Sequence, residues 1–410
     1  LVLVFFGSML AGCAPKKTDT ATTTPEVKAP VEITLWEQEE PNNDGIYDKA
    51  FTDFMAKNPD VKITRVHYNT DDLRNQFQTT AAAGEGPDIV FGPDDNIGVF
   101  NAMKIIQPIT NFVDASTLGL LDEKSVEGCK IGGELYGLPD RQGNNIMLVY
   151  NKKMIQTPPE TMDELIAVAK KFTNEKKGEY GLVFQAFEPF FEIWIPNGLG
   201  GKVFDDKYQP TLDGAPFVAM YQFIYDIFNV HKIIPKDCNY DIASNLFKEG
   251  KAPMIINGPW SWGEYEKAGI EVGLAQLPKQ SNGTYGAAYT SSKAYFVSKN
   301  LKAEKADAVK KVMALFASKD FQMEFAKASG WMPTNKEGMA DPFVQNDPKF
   351  KAALEGMKNG TPMPIVPEMR AIWDSLKLTV PDIMTGKMKP EEAAKKAQEE
   401  AIKNIENMNK

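Results

Sequence analysis

Three stretches near the N-terminus decide the fold: Val31-Glu32-Ile33-Thr34-Leu35, Val61-Lys62-Ile63-Thr64-Arg65-Val66 and Ile89-Val90-Phe91. The first two alternate apolar and polar residues, which is typical of half-buried strands, and the third is short and continuously apolar, which is typical of a buried strand. Between them, over 45–58 and 71–83, apolar residues recur at helical spacing. The order strand, helix, strand, helix, strand predicts an α/β protein with a largely parallel sheet.

The same alternation continues along the chain. Thr161-Met162-Asp163-Glu164 is a capping box that predicts a helix start. Strands are expected at 182–184, 254–256 and 295–297, and an apolar helix over 217–230. At 410 residues the chain is expected to contain two domains. The last third is predicted to be helical, over 303–317, 319–328, 346–358, 367–384 and 390–407.

The residues before the first strand have an export pattern. An apolar run, Leu1 to Phe6, leads to Leu10-Ala11-Gly12-Cys13, and small residues after such a run indicate a secretory signal. The run is shorter than the roughly 20 residues that span a bilayer. Cysteine after Leu-Ala-Gly resembles the bacterial lipobox, which implies a signal segment over 1–13 and lipidation of Cys13. The alternative is a buried N-terminal strand with a chance cysteine.

Residues 14–30 have almost no large apolar side chains, so they are predicted to be a flexible tether. With Cys13 acylated, the protein would lie outside the cytoplasm and be held at the cell membrane by lipid. No later segment is apolar and long enough to cross a membrane.

Composition and motifs exclude several classes of function. A net charge of −9 and a pI of about 5.1 argue against nucleic acid as a partner. His67 and His231 are far apart in sequence, and no Cys or His cluster has metal-ligand spacing, so no metal, cofactor or catalytic residue is assigned. Phosphate-loop and nucleophile-elbow motifs are missing from the sequence. Whether Cys129 and Cys238 pair cannot be read from the sequence.

Aromatic residues are concentrated in predicted loops. They follow strands at Trp36, in 187–191 and in 257–262, and another lies at Trp373. An aromatic ring at the carboxyl end of a strand in an open α/β sheet faces the ligand crevice. Because one face of a pyranose carries C–H groups and its rim carries hydroxyls, such rings beside carboxylates and amides favour an oligosaccharide ligand. Core packing is the alternative for Trp260 and Trp373.

Five segments, in order, resemble the extracellular solute-binding proteins of bacterial ABC importers, in particular those that bind maltose and maltodextrin. The resemblance covers roughly 31–407. The segments that carry it are Gly84-Glu85-Gly86-Pro87-Asp88-Ile89-Val90-Phe91, Leu148-Val149-Tyr150-Asn151-Lys152, Glu188-Pro189-Phe190-Phe191, Ile256-Asn257-Gly258-Pro259-Trp260-Ser261-Trp262 and Met363-Pro364-Ile365-Val366-Pro367-Glu368-Met369 with Trp373.

The resemblance implies a two-lobed α/β fold of the periplasmic-binding-protein type, with a ligand cleft between the lobes and hinge crossovers. The first lobe would comprise 31–139 with 288–332, and the second 140–287 with 333–410. The chain would cross between the lobes near 139–145, 286–290 and 332–336.

The resemblance also implies which residues contact the sugar. The chain departs from the family pattern at three positions: Pro41, where the family has a lysine, Gly92, where it has a tryptophan, and Asn96, where it has an arginine. The hinge-loop glutamate falls near Asn144, and a later arginine is Lys377, which cannot make the same bidentate contact. The binding mode is expected to carry over, with the exact sugar left open. The implied sugar-binding residues are Glu40, Asp95, Asn144, Glu188, Phe190, Trp260, Trp373 and Lys377.

The sequence therefore predicts a lipid-anchored, monomeric binding protein that delivers an oligosaccharide to the membrane subunits of an ABC importer, and maltose or maltodextrin is the favoured ligand. It is not expected to be an enzyme. The alternatives are a binding protein for another oligosaccharide, a lectin, or an exported glycan-active enzyme that uses carboxylates such as Glu188 and Asp95.

Overall fold

The computed structural model describes residues 29–408. The predicted signal segment, Cys13 and most of the predicted tether lie outside the described residues. Within 29–408, no helix combines the length and the apolar character needed to cross a membrane.

Strands and helices alternate through the first part of the described chain, as the three opening stretches predict. In chain order the strands are β1 (Val31–Glu37), β2 (Val61–His67), β3 (Ile89–Pro93), β4 (Ile106–Gln107), β5 (Lys130–Ile131), β6 (Glu134–Leu135), β7 (Gly137–Gln142), β8 (Met147–Asn151), β9 (Met254–Asn257), β10 (Val272–Ala275), β11 (Tyr289–Thr290), β12 (Ser292–Ser298), β13 (Met332–Pro333) and β14 (Thr361–Pro362).

Helices occupy the spaces between strands and most of the last third. They are α1 (Asp44–Lys57), α2 (Thr70–Ala82), α3 (Asn96–Ala102), α4 (Ala115–Gly119), α5 (Glu123–Glu127), α6 (Met162–Phe172), α7 (Trp194–Gly198), α8 (Ala215–Tyr225), α9 (Tyr240–Lys248), α10 (Pro259–Lys267), α11 (Ala306–Phe316), α12 (Lys319–Ser329), α13 (Lys336–Met339), α14 (Pro342–Asn346), α15 (Pro348–Asn359), α16 (Met369–Met384) and α17 (Pro390–Met408).

The larger sheet has the strand order β13-β7-β12-β3-β1-β2, with β4 added beside β12. Its β1 pairs in parallel with both β2 and β3, while β12 runs antiparallel to β3 and β7. Ile33 and Leu35 of β1 are fully buried, whereas Glu32, on the opposite face of the strand, is exposed. The predicted alternation therefore matches one face of β1 packed on the core.

A second, three-stranded sheet has the order β10-β8-β9, with both pairings antiparallel. The predicted strand at 182–184 is wrong. Leu182 and Phe184 are fully buried, but the segment makes only an isolated bridge between Val183 and Ile255. Its neighbouring amides turn to other partners, with the Leu182 N–H directed at the Ile233 carbonyl, so no ladder extends along it.

The helix predictions hold, with two local differences. The apolar helix expected over 217–230 is α8 followed by a π-helical turn, Asp226–Val230. The helix expected over 346–358 is preceded by the separate helix α14. The break falls at Asp347, which accepts a hydrogen bond from the Lys349 N–H, and at Pro348, which begins α15 because it has no N–H to lose.

Three chain segments connect the regions around the two sheets. The first joins β7 to β8, the second joins β10 to β12, and the third follows β13. The first two are tied together, because the Asn144 N–H donates to the Ser291 carbonyl at 3.0 Å and the Asn144 amide donates to the Ser291 hydroxyl at 2.9 Å. The lobe boundaries stay a prediction, but these connections lie close to the predicted crossovers.

Candidate ligand-binding cleft

Five aromatic side chains form a continuous row, which we call the aromatic row. Neighbouring ring centroids are 5.9 Å apart for Tyr289 and Trp373, 6.3 Å for Trp373 and Phe190, 6.4 Å for Phe190 and Trp260, and 6.0 Å for Trp260 and Trp331. These spacings are typical of aromatic packing. The row brings together the three aromatic residues that the sequence predicted as sugar contacts.

Local sequence sets the position of Trp260. Asn257 ends β9, Pro259 begins α10, and Trp260 lies in the first turn of that helix. A Cβ at Gly258 would lie 2.0 Å from a ring atom of Trp260, so the ring packs directly on the glycine backbone. Any larger residue at Gly258 would displace the ring.

A second group of side chains follows the carboxyl ends of β1 and β3, where α/β sheets bind ligands. We call it the polar edge. Within the described part of the chain, each member has a buried atom without a hydrogen-bond partner. A buried polar group without a partner is costly, so these atoms point to a polar ligand or ordered water. The atoms are Gln38 Oε1, Asp94 Oδ1, Asp95 Oδ1 and Asn96 Nδ2.

The two aspartates of the polar edge differ in their surroundings. Burial raises the pKa of Asp94 well above its usual range, even though its other oxygen accepts the Ser292 N–H at 2.7 Å. Burial also raises the pKa of Asp95, but the positive charges of Arg74 and Arg370 oppose this shift. The neighbouring Trp373 also lowers the pKa of Asp95, so Asp95 lies beside the aromatic row.

Gly92 explains one departure from the family pattern. A Cβ there would lie 3.0 Å from Asn96 Nδ2 and 3.6 Å from Gln38 Oε1. The space beside β3 is therefore occupied by side chains of the polar edge, which a tryptophan at this position would have to displace.

Glu188 and Lys377 form an ion pair beside the row, with 2.9 Å between Glu188 Oε2 and Lys377 Nζ. Partial burial by itself lowers the pKa of Lys377. The hydrogen bond and the negative charge of Glu188 have the larger combined effect, so the pKa of the lysine is raised. Both residues were predicted from sequence as sugar contacts.

Glu40 lies between charges from several elements. Burial raises its pKa to about 7; Lys293 opposes this shift, while Glu39 and Glu264 reinforce it. Its carboxyl group therefore titrates near neutral pH. Asn144, by contrast, lies in the first crossover and donates its amide to Ser291, so the structure gives it a structural bond in addition to its predicted role.

Sequence reasoning missed Trp331 and Tyr289 of the row, and Gln38, Asp94 and Asn96 as members of the polar edge. Trp331 is fully buried, 5.1 Å from the Lys293 ammonium, and its Nε1 has no partner among residues 29–408. Its place just before the predicted third crossover could have indicated it. Nothing in the local sequence marks Tyr289 as a neighbour of Trp373.

Two other sequence questions have structural answers. Cys129 and Cys238 are both buried and neither is in a disulfide in the described chain. Over residues 29–408, no group of three or more His, Cys, Asp or Glu side chains is arranged to hold a metal ion.

An aromatic row beside unpartnered polar side chains at the strand ends of an α/β protein, with three connecting segments, is an arrangement that suits a solute-binding protein. The chain matches the family of bacterial extracellular solute-binding proteins over residues 49–352, which is most of its length, and it belongs to this family. This confirms the predicted resemblance.

Relatives with known ligands share nearly the whole chain. A maltotriose-binding protein of Pyrococcus abyssi is 28% identical over 381 residues, covering 91% of this chain and 82% of the relative. A galactooligosaccharide-binding protein of Bacillus subtilis is 27% identical over 404 residues, covering 96% and 93%.

Solved structures give the same fold. The maltose/maltodextrin-binding domain of Bdellovibrio bacteriovorus, solved with maltotriose, has a TM-score of 0.87 and 34% identity, and covers 92% of this chain and 100% of that one. A Thermus thermophilus maltotriose-binding protein, also solved with maltotriose, has a TM-score of 0.83 at 24% identity and covers 91% and 100%. The predicted two-lobed fold is thereby confirmed.

Proposed function

We propose that this protein is an extracellular receptor that delivers an oligosaccharide to an ABC importer, and that its ligand is an α-linked gluco-oligosaccharide of the maltodextrin type. The observation that carries the proposal is the pairing of the aromatic row with the polar edge. Flat rings suit the C–H faces of pyranoses, and buried acceptors and donors without partners suit the hydroxyl groups.

The proposed contacts divide by chemistry. Phe190, Trp260 and Trp373 would stack on successive sugar rings. Glu188 and Lys377 would bind hydroxyls on the same side, and Asp95 would bind them from the polar edge. Glu40 and Asn144 are proposed as further contacts on the evidence of the family resemblance, and Gln38 and Asn96 join them because each has an unsatisfied buried atom.

Closure of the two lobes around the sugar is the proposed mechanism of delivery. A ligand that touches both lobes stabilises the closed state only to the extent that it binds this state more tightly than the open one. The membrane subunits of the importer would then distinguish a loaded receptor from an empty one by its closure. We propose that the receptor acts as a monomer and leaves the sugar chemically unchanged.

Maltodextrin is favoured because the Pyrococcus and Bdellovibrio relatives are named for maltotriose or maltodextrin. The Bacillus relative, named for galactooligosaccharides, makes a galacto-oligosaccharide the alternative. The two ligands differ in hydroxyl orientation and chain curvature, which the polar edge would discriminate more strongly than the row.

Calorimetric titration tests the ligand. We expect maltotriose to bind more tightly than cellotriose or a β-galacto-oligosaccharide, and chromatography of the recovered sugar to show no product. Tighter binding of the galacto-oligosaccharide would overturn the proposed ligand but leave the proposed role as a receptor intact. Turnover of any of these sugars would instead support an enzyme.

Scattering tests closure. We expect the radius of gyration to fall on saturation with the tightest ligand. An unchanged radius with saturated binding would favour a rigid lectin over a hinged receptor.

Lipid anchoring through Cys13 is the proposed localisation. With a complete signal sequence, the wild-type protein should fractionate with membranes, and Cys13→Ser should be released in soluble form with unchanged sugar affinity. A membrane-bound Cys13→Ser protein would contradict the anchor without affecting the binding proposal.

A further inference from the structure

An acidic side chain of the first lobe approaches a basic side chain of the second. Asp71 lies in the first turn of α2, and its Oδ2 is 3.8 Å from Lys377 Nζ on α16. Its Oδ1 accepts a hydrogen bond from Arg74 at 2.9 Å. Lys377 is thus placed between Asp71 and Glu188, to which it donates at 2.9 Å.

The two helices belong to different parts of the molecule. Phe77 of α2 packs edge-on against Phe100, which in turn packs on Phe296 of β12, so α2 is attached to the larger sheet. Helix α16 packs instead against α8 and α17. A contact between Asp71 and Lys377 therefore links the two proposed lobes.

A second cation on α16 faces the same acid. Burial by itself lowers the pKa of Arg370. Its hydrogen bond to Asp374 and the negative charges of Asp374, Asp71 and Glu188 together raise the pKa above its usual value. Without a negative charge at Asp71, Arg370 and Lys377 of the second lobe would face Arg74 of the first. Like charges would then oppose closure.

The lobes also meet close by. A Cβ at Gly98 of α3 would lie 2.1 Å from the Ile365 carbonyl oxygen, so backbone from the two sides is in direct contact. The Asp71 pair lies on helices adjacent to this contact, where a small change in lobe separation makes or breaks it.

We propose that Asp71 is a positioning residue that holds Lys377 across the cleft and stabilises the closed arrangement, and that it thereby sets the affinity for every oligosaccharide ligand by a common factor. This inference rests on the proposed function for its effect on sugar affinity, but its effect on closure is independent of any ligand. It differs from the role of a sugar contact, which would change the ranking of ligands.

The size of the effect follows from the exposure of the pair. The Asp71 and Lys377 side chains are 56% and 42% exposed, which makes their attraction modest and sensitive to salt. Apparent affinity falls in proportion to the fraction of receptor that is competent to close. Loss of the pair should therefore weaken binding about two- to fivefold, the range typical of exposed ion pairs.

The chain offers a matched control. Asp72 is the next residue in the same turn, is exposed, and has no ion pair within residues 29–408. Asp71→Lys and Asp72→Lys change the net charge equally, and Asp71→Asn removes the charge with the smallest change of shape. Circular dichroism would verify that all three variants fold.

The first measurement uses protein without sugar. Spin labels on exposed positions of each lobe report the inter-lobe distance by double electron–electron resonance. We expect Asp71→Lys and Asp71→Asn to shift the distribution toward longer distances, Asp72→Lys to match wild type, and high salt to shift wild type in the same direction as Asp71→Asn. An Asp71→Lys distribution equal to that of Asp72→Lys would overturn the proposal.

The second measurement is titration with maltose and maltotriose. Both affinities should fall by the same factor in Asp71→Lys, with their ratio unchanged. A changed ratio would mean that Asp71 acts on a sugar contact, either its own or that of Lys377, and would contradict a common effect on all ligands. If neither sugar binds wild type while the inter-lobe distance still responds to Asp71, the proposed ligand fails and the inter-lobe contact stands.

Discussion

The two sides of the cleft differ in whether their buried side chains already have contact partners. Each ring of the aromatic row already packs against its neighbours, and Trp260 and Trp373 are at most 9% exposed. The polar edge, in contrast, has buried atoms that lack partners in the described chain. Apart from the Trp331 Nε1, which has no partner within 29–408, the rings of the row contact one another, whereas the polar edge gains hydrogen bonds only when something polar enters.

This difference implies a division of roles. Apolar area attracts many sugars about equally, so the row should supply most of the affinity. A site that leaves buried polar groups unpaired rejects a ligand that cannot satisfy them, so the polar edge should supply most of the selectivity.

Removal of Trp260 should have the largest effect. Trp260→Ala removes stacking area worth about 1.5–3 kcal/mol for a large apolar side chain, or roughly 10- to 150-fold in affinity. All oligosaccharides should be affected in a similar proportion. Phe343→Ala, which removes a 40% exposed ring on α14, serves as the control and should bind normally. Normal affinity of a folded Trp260→Ala protein would contradict the role of the row.

Asp95→Asn should have a smaller but more selective effect. The amide keeps the shape but loses the charge, and a hydrogen bond to a charged group contributes about 1.5 kcal/mol or more, close to tenfold in affinity. The loss should differ between maltotriose and cellotriose, because hydroxyl orientation decides which bonds Asp95 makes. Equal losses for both sugars in calorimetry would show that the polar edge does not select the ligand.

The pH dependence of binding should follow Glu40. Burial, reinforced by Glu39 and Glu264, raises the pKa of Glu40 to about 7, and the proposed closure would increase both its burial and its proximity to Glu264. In an open, more hydrated cleft its pKa would be lower, so closure takes up a proton. Affinity should therefore rise a few-fold as the pH falls from 8 to 6. The charged and titratable groups that face Glu40 are Glu39, His67, Lys293, Glu264 and Tyr240.

Glu40→Gln should remove most of this pH dependence, with affinity close to that of wild type at pH 6. Titrations across this range in buffers of different ionisation enthalpy would measure the proton uptake directly. A Glu40→Gln protein that keeps the full pH dependence would assign it to another group.

Glu192→Gln should have the smallest effect on binding and a distinct effect on stability. Glu192 follows the turn that carries Phe190, is fully buried, and both its carboxyl oxygens lack partners within 29–408. Burial, reinforced by the charge of Glu188, raises its pKa well above the usual range. Because the folded state holds a proton that the unfolded state loses above pH of about 4.3, wild type loses stability as the pH rises.

The glutamine variant lacks this loss. Its free energy of unfolding, measured by denaturant titration, should gain on that of wild type between pH 5 and pH 8 by up to about 1.4 kcal/mol per pH unit, while its sugar affinity stays the same. Glu85→Gln, at an exposed position, is the control and should parallel wild type. A constant difference between Glu192→Gln and wild type across this range would show that Glu192 is ionised in the folded protein.

Predictability from sequence depended on whether a feature is local. The capping box at Thr161 and Glu164 forms as predicted, because both partners lie within one helical turn. The segment 182–184 was predicted to be a strand from its apolar residues, but burial alone does not decide whether a neighbouring strand is available. The polar edge was recognised only in part, because an unpartnered atom such as Gln38 Oε1 is defined by what is missing around it.

The alternation of strands and helices, the break before Trp260 and the family can be read from the chain, because each rests on the order and periodicity of neighbouring residues. Long-range packing, in contrast, places Trp331 in the aromatic row, Asp95 beside Trp373, and Asp71 near Lys377. These contacts join residues far apart along the chain. Their distances depend on how helices and sheets pack, and no local pattern records that.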